Sequence, residues 1–83
     1  MLTMTVDVMQ HHIYNGQRNA CKSCPVALAL ADATGDEWSV TLAHAYDESD
    51  VTWRLDDTAV QFIWDFDHND TTPAPVTISL TRA

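Results

Sequence analysis

Ser23-Cys24-Pro25-Val26-Ala27-Leu28-Ala29-Leu30-Ala31-Asp32-Ala33-Thr34-Gly35 is the stretch whose reading decides the fold. Proline fits the first helical position, where its missing N–H leaves nothing unbonded, and glycine just past the end stops a helix. The spacing predicts a helix over Pro25–Ala33 ending at Gly35. Val26, Leu28, Ala29 and Leu30 leave it almost no polar face, so it must be buried on most sides, and its alanines let another element approach closely.

The flanks supply what it packs against. Leu2, Met4, Val6 and Val8 alternate with Thr3, Thr5 and Asp7, the period of a half-buried strand over Leu2–Met9. His11 to Tyr14 reads as a helical turn stopped by Asn15-Gly16, a pair that tolerates positive φ, and Gln17 to Cys21 as polar loop. Downstream, Trp38, Val40, Leu42 and His44 alternate as a second strand, and Asp47-Glu48-Ser49-Asp50 makes a turn. Val51, Trp53 and Leu55 form a third strand in a hairpin with the second. Asp56 or Asp57 caps a second helix running to about Asp67. Thr71-Thr72-Pro73-Ala74-Pro75 breaks the chain before a last strand carrying Val76, Ile78 and Leu80. The expectation is an α+β domain of β-α-β-β-α-β order, two helices on one face of a four-stranded, mostly antiparallel sheet. A ferredoxin-like strand order is one such arrangement, but strand order cannot be read from the pattern.

Eighty-three residues make one small domain, 1–83, with a net charge of −8. The charge is lopsided: up to Ala31 one acid meets Arg18 and Lys22, while from Asp32 onward eleven acids meet Arg54 and Arg82. Such a field disfavours direct contact with nucleic acid or anionic lipid and suits a basic protein partner or imitation of a phosphate backbone. The first residues carry no signal-peptide pattern and no run approaches the ~18 apolar residues of a membrane span, so a cytoplasmic protein with reduced thiols is expected.

Cys21-x-x-Cys24 could grip a metal from a tight knuckle, with His11 and His12 adding nitrogen ligands. Structural zinc wants four ligands, and adjacent histidines point apart in extended chain; the distant His44 and His68 are the other sources. The spacing also fits a redox dithiol, although the helix begins at the second cysteine rather than the first. The favoured reading is packing, with Cys24 a small apolar group at the helix entrance and Cys21 in the loop. His11 at the strand end reads as a residue bonding the following turn. No nucleophile accompanies the histidines, no glycine-rich phosphate loop exists, and no cofactor is implied, so an enzyme is not expected.

The second helix carries more apolar groups than one buried stripe can take: Ala59, Val60, Phe62, Ile63, Trp64 and Phe66 wrap nearly its whole circumference. One reading uses all of them in the core, with Trp64 at an edge. The sharper one leaves Phe62, Trp64 and Phe66 as an exposed aromatic patch ringed by Asp57, Asp65, Asp67 and Asp70, a protein-binding or self-association surface.

His12-Ile13-Tyr14-Asn15-Gly16, Cys24-Pro25-Val26-Ala27-Leu28-Ala29, Arg54-Leu55 and Phe66-Asp67, in that order, resemble a family of small uncharacterised proteins of actinobacterial bacteriophages. The resemblance covers most of the chain. It departs from the family at Asp56, where a proline commonly follows Arg-Leu, and at Val76-Thr77-Ile78, where an acidic-aromatic strand is usual. The first cysteine position of that family is often not cysteine, which counts against zinc here. The family has no established activity. The resemblance therefore implies a setting, a phage accessory protein in the host cytoplasm, and not a mechanism; the aromatic patch adds the expectation that it binds a host or phage protein or forms a homodimer. The alternatives are an acidic nucleic-acid mimic that blocks a DNA-binding protein and a small zinc-supported domain.

Overall fold

Alternation in the first residues folds as strand β1 (Thr3–Val8), and the short turn after it is helix α1 (Gln10–Asn15). Helix α2 (Pro25–Thr34) follows, then the short strands β2 (Ser39–Val40) and β3 (His44–Tyr46), strand β4 (Thr52–Leu55), helix α3 (Asp57–His68) and strand β5 (Val76–Arg82). This computed structural model describes residues 2–18, 20–68 and 73–82. The fold is α+β, with five strands and three helices among the described residues rather than the four and two expected.

The expected four-stranded sheet is corrected at the second strand. Trp38 to His44 does not run straight. The Thr41 hydroxyl accepts from His44 N–H (3.2 Å) and donates to His44 C=O (3.1 Å), and Thr41 N–H donates to the same carbonyl (2.8 Å). A hydroxyl closing its own turn competes with the ladder and splits the segment into β2 and β3. The sheet order is β1-β5-β4-β3-β2 with every pairing antiparallel, so the ferredoxin-like order does not occur.

The registers place Val6, Val8, Ile78, Leu80, Leu55, Ala45 and Val40 on one face, buried against the helices. The other face carries Thr3, Thr5, Asp7, Thr77 and Arg54, all exposed. In α2, Val26, Ala27, Ala29 and Leu30 are buried, as its sequence requires. Gly35 closes it at φ 79, the left-handed conformation glycine adopts freely, and its N–H donates to Ala31 C=O (2.7 Å). Asp56 caps α3 by accepting from Ala59 N–H (2.8 Å), and its second oxygen accepts from Ser79 N–H (3.1 Å), tying helix to sheet. The two buried or half-buried indoles are bonded: Trp38 donates to Thr34 Oγ1 (2.8 Å) and Trp53 to Asp47 Oδ2 (3.3 Å).

Gly16 corrects a second expectation. Its φ is −74, so no left-handed turn requires glycine there. It is needed for space, because a Cβ at Gly16 would lie 2.5 Å from Cδ and 2.6 Å from Cγ of Pro25. The chain leaving α1 thus passes directly over the first residue of α2.

Candidate functional site

The aromatic helix resolves by its own geometry. At 100° per residue, Ala59, Phe62, Ile63 and Phe66 form one stripe, and all four are buried. Phe62 and Phe66 lie parallel with centroids 6.5 Å apart, and the Arg18 guanidinium sits 6.0 Å over the Phe66 ring. Those two phenylalanines belong to the core and not to a surface. Trp64 alone of the expected trio faces solvent, 47% exposed. Its ring stacks on His68, one turn on, with centroids 3.9 Å apart and planes at 22°. His68 Nδ1 lies 3.1 Å from Trp64 C=O.

The acids expected to form one rim are divided between two hollows. Asp65 accepts from Gln61 Nε2 (3.0 Å) and lines a groove of about 540 Å³ with Asp57, Phe62 and the Pro73–Val76 segment. Asp67 lines a different, mostly apolar cavity of about 220 Å³ on the opposite side of the helix. Asp70 and Thr71–Thr72 lie outside the described residues.

That second cavity gathers parts distant in sequence. Its walls include Cys21 and Cys24 before α2, Leu42 from the β2–β3 turn, and Ile63, Asp67 and His68 from α3. Leu42, expected in a strand, sits in the turn that Thr41 closes and is 47% exposed. Val40 N–H donates to Cys21 C=O (2.8 Å), holding the cysteine loop against β2. Trp64 does not line the cavity itself but stacks on His68, which does. The sequence pattern missed Leu42 and His68, because neither a turn's exposure nor a ring stack leaves a periodic signal.

The cysteines do not join His11 and His12; His68 lines the same cavity as both cysteines, but among the described residues these three are not gathered as a metal-ligating group. Cys24 is the N-cap of α2, and its Sγ accepts from Ala27 N–H (3.4 Å). Burial pushes its thiol above the usual range, against the lowering from that N–H; Asp67 and Cys21 add to the rise. A group so placed stays a thiol at neutral pH, which is unsuited to nucleophilic or redox work. Both cysteines are free, Cys21 exposed and Cys24 buried. Under native conditions a thiol reagent should titrate one sulfur per chain quickly and the second only on unfolding. Two equally fast thiols would contradict the burial of Cys24.

His11 and His12 instead meet Asp32, near the other end of α2. Eight residues at ~1.5 Å each separate Asp32 from Cys24 by ~12 Å along the helix, so the expected ligand set of His11, His12, Cys21 and Cys24 does not converge. His12 is buried; its Nδ1 accepts from Met9 N–H (2.9 Å) and its Nε2 stands 2.6 Å from Asp32 Oδ2. His11 Nε2 stands 3.4 Å from the same oxygen, its ring 4.0 Å from that of His12 and tilted 46° to it.

Among the described residues these three form the only group of three metal-ligating side chains gathered at one point. Their hydrogen bonds do not suit an ion. Because Nδ1 of His12 accepts a backbone N–H, the neutral ring carries its proton on Nε2 and donates it to Asp32. A metal at Nε2 would need that proton on Nδ1, where Met9 N–H already points. His12 is a structural bolt joining the start of α1 to the end of α2, half of a capping box made by histidine.

Asp32 and Asp47 share an electrostatic consequence. Hydrogen bonds from His12, then His11, hold the Asp32 carboxyl below its ordinary range. Val51 N–H does the same for Asp47, aided by Trp53 Nε1–H and Ser49 N–H. A carboxylate lowered in the folded state contributes stability that is present above the unfolded value of ~4 and lost as pH falls through the folded one. Acid titration of the fold should therefore show a limb below pH ~4 that flattens in the Asp32→Asn, Asp47→Asn double variant. An unchanged limb would contradict both assignments.

No family model, curated protein or solved structure matches the chain. Among the described residues, no helix is long and apolar enough to cross a membrane.

Proposed function

We propose that the chain is a small acidic protein-binding module, encoded by a phage of actinobacteria and working in the host cytoplasm as a binder of a host or phage protein rather than as a catalyst. The observation that carries the reading is the half-exposed Trp64 stacked on His68, which with the exposed Leu42 lines the cavity walled by Cys24, Ile63 and Asp67. A half-exposed tryptophan stacked on a histidine is already ordered, so seating it in a partner's pocket costs little side-chain entropy. Neighbouring acids would steer a basic partner. The phage setting rests on the resemblance of the His-Ile-x-x-Gly and Cys-Pro-Val-Ala-Leu-Ala signatures.

Nucleic-acid mimicry is less well supported, because several carboxylates are already engaged in hydrogen bonds within the fold. Asp7 accepts from Thr77, Asp32 from the histidines, Asp47 from its own turn and Asp56 from α3 and β5. Binding through Trp64 and Leu42 should persist in salt, whereas mimicry would fail steeply.

The test is recovery of partners from an actinobacterial lysate by the wild type and by Trp64→Ala, Leu42→Ser and Tyr14→Ala variants. Tyr14 is the control, an exposed aromatic on α1. The first two changes should remove a partner that Tyr14→Ala retains, while each shifts stability by less than about 1 kcal/mol. Identical recovery by all four proteins would contradict the proposal.

A further inference from the structure

The two ends of the sheet are finished differently. At one end β2 is only two residues long, and Val40 N–H is already bonded to the Cys21 loop. At the other, β1 is six residues long, without proline, lysine or bulge, and β5 is its only sheet neighbour among the described residues. A long strand left open in this way is a template for pairing.

The hydrogen-bond phase of that edge is fixed. Arg82 N–H donates to Leu2 C=O (2.9 Å), and bonded and non-bonded pairs alternate along an antiparallel ladder. With Met4 opposite Leu80 and Val6 opposite Ile78, the even-numbered residues of β1 bond β5. Thr3, Thr5 and Asp7 therefore aim their N–H and C=O groups out of the sheet. Met9 would continue the series, but His12 Nδ1 takes its N–H, and its C=O accepts from His12 N–H (3.1 Å) and Ile13 N–H (3.2 Å). The open edge is bounded at Asp7.

We propose that this edge pairs with the same edge of a second copy, antiparallel about a two-fold axis at Thr5, to make one continuous sheet through both protomers. In that register Thr5 faces the partner's Thr5 and Thr3 faces the partner's Asp7. Three residue pairs at two bonds each satisfy every outward group of both strands. Sliding toward the carboxyl end would set Thr3 against the partner's Met9, whose backbone is spent on α1. Sliding the other way leaves only Thr3 and Thr5 paired among the described residues.

Side chains agree with this register. Leu2, 57% exposed, comes opposite the partner's Val8 on the helix-covered face, and Met4 opposite the partner's Val6. Asp7 never meets the partner's Asp7, and a threonine hydroxyl stands opposite each carboxylate. A second copy is the occupant these features select, since the edge is complementary to itself. Each protomer carries −8, so added salt should tighten the pair.

Sedimentation equilibrium on the wild type, Thr5→Pro and Thr5→Asp tests this. Thr5→Pro removes an N–H that β5 does not use. Thr5→Asp sets two like charges face to face at the axis. The wild type should approach twice the 9.3 kDa chain mass as concentration and salt rise, with slowed exchange of the Thr3, Thr5 and Asp7 amides. Both variants should remain at the single-chain mass with unchanged far-ultraviolet circular dichroism. A wild type monomeric across the micromolar to millimolar range overturns the proposal, even if a different protein then occupies the edge. A dimer that survives both variants, or one abolished by Trp64→Ala instead, overturns it as well.

Discussion

Leu30→Ala should lower the free energy of unfolding by about 2–5 kcal/mol and the Tm by at least about 10 °C. Leu30 is wholly buried in α2, the helix whose sequence leaves almost no polar face. Deleting its isobutyl group removes the transfer term and leaves a cavity between α2 and the sheet, where β1 and β2 are its neighbours. The alanines alongside it are already minimal and cannot lean in to fill the gap. For a domain of this size, total stability is on the order of 4–12 kcal/mol, so one truncation removes a large share. Urea unfolding followed by tryptophan fluorescence measures the loss. A change under about 1 kcal/mol would mean that α2 is not the centre of the core.

Gly16→Ala should cost about 1–3 kcal/mol through overpacking alone. The backbone at Gly16 is extended, at φ −74 and ψ 152, and any residue could adopt it. The obstacle is the Pro25 ring, whose Cδ, Cγ and N would lie 2.5, 2.6 and 2.8 Å from the new Cβ. A proline ring fused to the first turn of a buried helix cannot swing aside, so the α1–α2 crossing must open. That opening would also strain the bolt from Asp32 through His12 to Met9. The double variant Gly16→Ala, Pro25→Ala removes the ring carbons and should recover part of the loss. A double-mutant cycle on urea midpoints reads the coupling. Additive effects would show that the two residues do not meet.

The parts of the fold that are local in origin were legible. Proline at the start of α2 and Gly35 at its end bound it in the sequence as in space, because each acts on its own backbone. Asp56 as a cap and the Asp47–Asp50 turn are of the same kind. Alternation located β1, β4 and β5. The split of the second strand was hidden, because Thr41 closes its turn with a hydroxyl that pattern counts only as a polar position. The role of Gly16 was misread for a related reason. Its neighbour Pro25 is nine positions away, and only the tertiary crossing brings the ring against it.

The candidate site was harder still. Trp64 was readable as one aromatic too many for α3, yet which ring would be left outside depended on the face the sheet selects. The stripe of Ala59, Phe62, Ile63 and Phe66 settles that, and it takes two of the three expected rings inside. The His12–Asp32 bond joins residues twenty apart, and the tautomer that argues against a metal there follows from Met9 N–H. No spacing rule carries such a detail. The charge division, by contrast, was fully visible, although the structure turns several acids to internal bonding.

The central claim is that the surface around Trp64 is built to be covered by another protein. Site-specific photocrosslinking tests it most directly, with a benzophenone side chain placed at position 64, or at position 14 as the control, in a protein expressed in an actinobacterial host. The account predicts a discrete covalent adduct from position 64 that Leu42→Ser abolishes and that position 14 does not give. No adduct at 64, or the same adducts from both positions, would contradict it.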